Sequence, residues 1–156
     1  MASGSLRVGL QIVLWALIAA LSYFLYLSIT EPYEEIERQE KLTDQTRLRM
    51  DQVRQVAIHF ESQYERFPSS IDSLLFFAKM DSLFTTKRDS VLGLELNLDS
   101  LIYSPRSGKM FVYTANDTSR VKTYLLEDPD LNHLGSKDKI GTMLSDVTLL
   151  NAASWE

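Results

Sequence analysis

The chain has 156 residues, 16 Lys+Arg against 21 Asp+Glu for a formal net charge of −5, and no cysteine. An acidic balance argues against nucleic-acid binding, which needs a basic face to neutralise phosphates. Without cysteine there is no disulfide framework, thiolate nucleophile or cysteine-based zinc site.

After a short tail, residues 1–7, residues 8–29 carry no charged side chain. At about 1.5 Å per residue they make about 33 Å of helix, enough to cross a hydrocarbon core of about 30 Å. A cleaved signal peptide would have a shorter apolar region and small residues at its end. This run closes instead on Tyr23, Phe24, Leu25, Tyr26 and Leu27, so an uncleaved anchor in the lipid bilayer is expected. Tyr23, Tyr26 and Tyr33 suit the far interface, where rings with a polar tip are favoured. Ala16 and Ala20 form a small-xxx-small pair, the pattern that lets membrane helices approach closely, and mark a candidate packing face for other membrane proteins. By charge alone the orientation is open. Arg38, Lys41, Arg47 and Arg49 follow the span and only Arg7 precedes it, yet long domains translocate largely regardless of charge.

Residues 30–49 read as a polar helical stalk: from Tyr33 to Arg49 charged and amide side chains predominate, with only Ile36, Leu42 and Leu48 as clear apolar breaks, and Pro32 can kink the helix without ending it. The soluble domain then occupies residues 50–156. Met50, Val53, Val56, Ala57, Phe60 and Tyr64 form a stripe on one helical face that predicts entry into a core. The helix must stop near Phe67-Pro68, because the residue before proline is pushed out of the α region. Ser69 or Ser70 can cap a second helix from residue 71 to about 79, with Asp72 in its first turn and Leu74, Leu75 and Phe77 buried. Leu92, Leu94, Leu96 and Leu98 alternate as a strand would. Residues 109–114 and 121–126 are rich in β-formers and bounded by turn signals, so they predict antiparallel strands. Residues 128–156 read as loop-rich. The expected fold class is α+β: a transmembrane helix continuing into a long amphipathic helix packed on a small antiparallel sheet.

This layout resembles the type IV pilin and type II secretion pseudopilin superfamily. The resemblance is carried by the apolar helix, by Pro32, and by the run Phe60-Glu61-Ser62-Gln63-Tyr64-Glu65-Arg66-Phe67-Pro68 that closes the long helix. The capped segment Ser69-Ser70-Ile71-Asp72-Ser73-Leu74 and the antiparallel meander complete it. In the family a processing glycine is followed by an aromatic residue, with a glutamate four positions beyond. Here Gly9-Leu10 stands at the junction and Leu14 at the glutamate position. The resemblance implies a pilin-like domain in the periplasm, an N-terminus in the cytoplasm and a place in the bacterial inner membrane. It also implies a hetero- or homo-oligomeric envelope complex, in which partners are reached through the membrane helix and the soluble domain.

Catalysis is not expected. His59 and His133 stand without cysteine or acidic clusters, and no Gly-rich phosphate loop, Ser-His-Asp pattern or HExxH helix occurs. Asp128, Asp130 and Asn132 place oxygens at alternate positions, as the start of a calcium loop does. His133, however, takes the glycine position and Lys139 the position of the closing glutamate. Calcium is thus a weak expectation beside a capped acidic turn, and no other cofactor is expected. Asp72-Ser73-Leu74, Asp81-Ser82-Leu83, Asp89-Ser90-Val91 and Asp99-Ser100-Leu101 resemble an acceptor pattern for periplasmic O-glycosylation, although Asp and Ser also favour caps and turns. The expected function is a non-enzymatic structural or accessory subunit of a secretion, motility or transport apparatus. A minor pseudopilin and a periplasmic ligand-sensing module are the alternatives.

Overall fold

The computed structural model describes residues 3–86, 97–118, 120–144 and 149–156, with side chains described from Arg7 onward apart from residues 31 and 32. The chain divides into two units, Met1–Gln39 and Glu40–Glu156. Helix α1, Ser3–Tyr64, supplies the first unit and the opening turns of the second. Backbone helix continues across Pro32, and just before it the Thr30 hydroxyl donates to the Tyr26 carbonyl at 2.9 Å. Within the first unit the most apolar stretch of α1 has no buried residue, and α1 is long and apolar enough to cross a membrane.

The second unit adds α2 (Ile71–Met80), α3 (Ser82–Thr86), a 3-10 turn at Leu98–Ser100, and the strands β1 (Val112–Asn116), β2 (Thr123–Leu131) and β3 (Lys137–Gly141). The sheet runs β1-β2-β3 and is antiparallel throughout. Helix α1 ends at Tyr64, and Glu65 reverses the chain with φ +53 in the left-handed region. Phe67 and Pro68 then turn inward and Ser70 caps α2, its hydroxyl oxygen accepting the Ser73 N–H at 3.2 Å. Asp72 lies in the first turn, where the helix dipole favours it, and Ile71, Leu74, Phe77 and Ala78 form the buried face. Leu75 is only half-buried.

Strands form in both expected regions and pair in the register Tyr113↔Leu126 and Ala115↔Tyr124. Both are shifted: β1 starts at Val112 rather than Lys109, with Met110 in a separate bridge to Tyr103, and β2 starts at Thr123 rather than Val121. Residues 128–131, expected as an acidic turn, continue β2, and β3 appears where loop was expected. Two features hide this from the sequence. Pro129 lacks a ladder donor, and it falls in the register shift between Glu127 and Leu131, where the β2–β3 pairing is interrupted. The β3 sequence, Lys-Asp-Lys-Ile-Gly, has one β-former, and its alternation sets Lys137 and Lys139 outward against Asp138 and Ile140 inward. Leu98 belongs to the 3-10 turn, and Leu92, Leu94 and Leu96 lie outside the described residues. Gly141 ends β3 with φ +82, and a Cβ there would collide with the Tyr124 carbonyl oxygen. Its N–H donates to Ala152 at 2.9 Å, which lays the last residues along β3 through the Ile140↔Ala153 bridge.

One apolar core joins α1 to the sheet. Met50, Val53, Val56 and Ala57 are fully buried together with Tyr124, Leu126 and Ile140, and Leu74 and Phe77 of α2 close the same cluster. Phe60 is half-buried against it. Tyr64, expected within the stripe, is 53% exposed: it is the last residue of α1, and its ring lies on Phe60 and Phe77 at the rim.

Candidate interaction site

The inward face of the sheet changes character along its length. On β2 the alternation buries Tyr124, Leu126 and then Asp128; on β3 it buries Ile140 and Asp138. The acidic end needs counter-charge, because a carboxylate without water must be paired or neutralised. Arg106 supplies it from the turn before β1. Its guanidinium donates to Asp128, to Asp138 Oδ2 at 2.9 Å, to the Asp130 carbonyl at 3.3 Å and to Thr43 Oγ1 at 3.3 Å. Arg47 of α1 donates from Nε and Nη2 to Asp138 Oδ1 at 3.2 and 3.1 Å, and lies 5.3 Å from the centre of the Trp155 ring. Asn132 Nδ2 gives Asp138 a further bond at 3.0 Å.

Helix α1 matches this change of character. Opposite the apolar end it presents Met50, Val53 and Val56; one and two turns earlier it presents Thr46, Arg47 and Thr43, with Thr43 and Thr46 buried. The domain contacts of α1 therefore begin at Thr43, inside the segment that composition reads as stalk. The two acids respond oppositely to burial. For Asp138 burial raises the carboxyl, but hydrogen bonds from Arg106, Asn132 and Arg47 outweigh it and hold the group below its ordinary value. For Asp128 burial prevails over the Ser104 and Arg106 contributions and pushes the carboxyl up.

A second feature lies where α1 ends. Phe60, Tyr64, Phe76, Phe77 and Met80 line an apolar groove of about 750 Å³ between α1 and α2, with Asp72 and Ser73 at its edge. Phe77 lies edge-on to Phe60 and Tyr64, with ring centres 5.0 and 6.0 Å away. Phe76 and Met80, one turn apart on α2, are 66% and 71% exposed.

The residues singled out by sequence are not gathered into one site. Ala16 and Ala20 lie on the exposed surface of the apolar helix. Asp128, Asp130 and Asn132 are each taken by different protein donors. Arg106 holds Asp128, Lys109 holds Asp130 at 2.8 Å, and the Asn132 amide oxygen accepts the backbone N–H groups of Leu134 and Ser136 at 3.0 and 3.1 Å. Among the described residues no group of three or more His, Asp or Glu is placed to hold a metal ion. His59 packs between the Phe77 and Phe84 rings and reaches Asp81 at 3.4 Å, while His133 meets Thr43 at 3.3 Å. Of the Asp-Ser triplets, Ser73 shares a 2.9 Å hydroxyl contact with Ser70, Ser100 donates to Asn97 at 2.7 Å, and Ser82 is exposed. Asp89-Ser90-Val91 lies outside the described residues. Arg106, Asp138 and the inward role of Arg47 were not legible. The one signal for them was the pairing of isolated arginines with acids at alternating strand positions.

No protein-family model, curated protein or solved structure matches the chain.

Proposed function

We propose that this chain is a single-span, non-enzymatic structural or accessory subunit of a bacterial cell-envelope complex. In this reading its N-terminus is cytoplasmic and its pilin-like α+β domain periplasmic. The observation that carries the reading is the uncharged stretch 8–29, which is helical and has no buried residue within its own unit. A soluble protein would cover such a surface with protein; lipid is the solvent that suits it. The same helix continues as backbone into the domain, ending in the core contacts of Met50, Val53 and Val56, so the domain is carried on the anchor itself. The succession of a long helix, a capped second helix and an antiparallel meander supports the pilin-like description, and the narrower pseudopilin reading rests on the same layout.

The experiment is membrane fractionation of the native chain followed by alkaline carbonate extraction and pull-down from mild detergent. The reading expects the chain to stay in the membrane pellet and to bring a second membrane protein with it. Release by carbonate, or recovery of a lone monomer, would overturn it.

A further inference from the structure

The ten residues of α2 are apolar on more than one face. Ile71, Leu74, Phe77 and Ala78 fill the core, yet Phe76 and Met80 stand one turn apart on the outside. Neither contributes to the core, and both are large apolar side chains set in water. With Phe60, Tyr64 and Phe77 they make a continuous aromatic trough, and side chains of these types concentrate binding energy at protein interfaces. The trough carries one charge, the exposed carboxylate of Asp72, one turn before Phe76. Nearby charges are already engaged: Lys79 pairs with Asp99, and Asp81 is held by Gln63, His59 and the Leu83 N–H. Asp72 has no such ion pair among the described residues.

We propose that this groove seats an apolar helical segment of a different protein, bearing a lysine or arginine placed to meet Asp72. Aliphatic side chains at i and i+4 would enter between Phe76, Met80 and Tyr64, and the cation would meet the carboxylate at the rim, the helix-in-groove mode of recognition. A second copy of this chain is poorly suited. On α1 beyond the apolar stretch, the exposed aliphatics Ile36, Leu48 and Ile58 are too widely spaced along the helix to present adjacent anchors, and on α2 the lysine beside Phe76 and Met80, Lys79, is already paired with Asp99. The groove lies wholly within the Glu40–Glu156 unit, so its test does not depend on the anchor, which carbonate extraction tests separately.

The experiment places a photo-reactive benzoyl-phenylalanine at position 76 of the full chain in intact native cells and maps the adduct by mass spectrometry, whichever fraction the chain is recovered from. The expected adduct is a peptide from another protein with apolar residues at helical spacing and a Lys or Arg within one turn. Asp72→Lys should lower the yield about ten-fold, as reversing a complementary charge does, while Asp72→Glu preserves it. Because Asp72 also sits in the first turn of α2, Met80→Ser provides a second arm that leaves the helix start intact and should likewise lower the yield. An adduct to a second copy of this chain, an adduct to lipid, no adduct, or a yield indifferent to both variants would overturn the proposal.

Discussion

Asp128 and Asp138 project into the core from neighbouring strands, and Arg106 touches both. Replacing Arg106 with methionine keeps much of the apolar stem but leaves two inward acids short of donors. Removing one partner of a buried pair costs about 3–5 kcal/mol, so Arg106→Met should unfold at markedly lower urea concentration than the parent chain in the same detergent. An unchanged midpoint would mean the cluster contributes nothing. Acid titration separates the two carboxylates. Asp138 titrates below the ordinary aspartate value of 3.8, so its stabilisation is fully present above that pH and is lost as pH falls through its lower folded value. Asp128 titrates above 3.8, so the folded chain takes up that proton first, and stability gains as pH falls from its folded value toward 3.8. Thermal midpoints against pH should therefore show a shallower acid-side fall in Asp138→Asn and a smaller gain as pH falls toward 3.8 in Asp128→Asn, each compared with the parent chain. The apolar half of the α1 stripe is legible from spacing because Met50, Val53 and Val56 are buried by apolarity. Thr43 and Thr46 are buried and Arg47 half-buried, each with its polar group bonded, and a hydrophobic pattern gives such residues no weight.

At the scale of elements, the helices announce themselves more clearly than the sheet. Phe67-Pro68, Ser70 and Asp72 are stop, cap and first-turn signals that act within a few residues, so the boundaries of α1 and α2 follow from local chemistry. Strand β3 depends on what faces it across β2 and on the Gly141 turn, neither of which is local. In the apolar stretch of α1, Ala16 and Ala20 are the positions where bulk would most obstruct close helix packing. Ala16→Leu with Ala20→Leu should weaken recovery of the complex while leaving membrane insertion intact, since leucine only adds apolar character. Glu34→Gln, Glu37→Gln and Glu40→Gln together should change recovery little. The reverse pattern in a detergent pull-down would place the interface in the polar segment. At the Asp-Ser triplets, Ser82 offers an exposed hydroxyl, whereas those of Ser73 and Ser100 are bonded. Glycopeptide mapping of the chain from its native membrane should find sugar at Ser82 and leave Ser73 and Ser100 bare; sugar at Ser73 with Ser82 bare would contradict this.

For the molecule as a whole, the proposed function requires residues 8–29 to cross a bilayer and residues 50–156 to lie on the far side from the N-terminus. The cysteine-free sequence makes this directly measurable, because each introduced thiol is the sole one. Ser5→Cys precedes the span, and Asp117→Cys lies in the exposed turn between β1 and β2. A membrane-impermeant maleimide added to intact spheroplasts should label Asp117→Cys at once and Ser5→Cys only after the membrane is permeabilised. Labelling of Ser5→Cys with protection of Asp117→Cys would invert the topology, and immediate labelling of both would contradict a membrane-spanning helix.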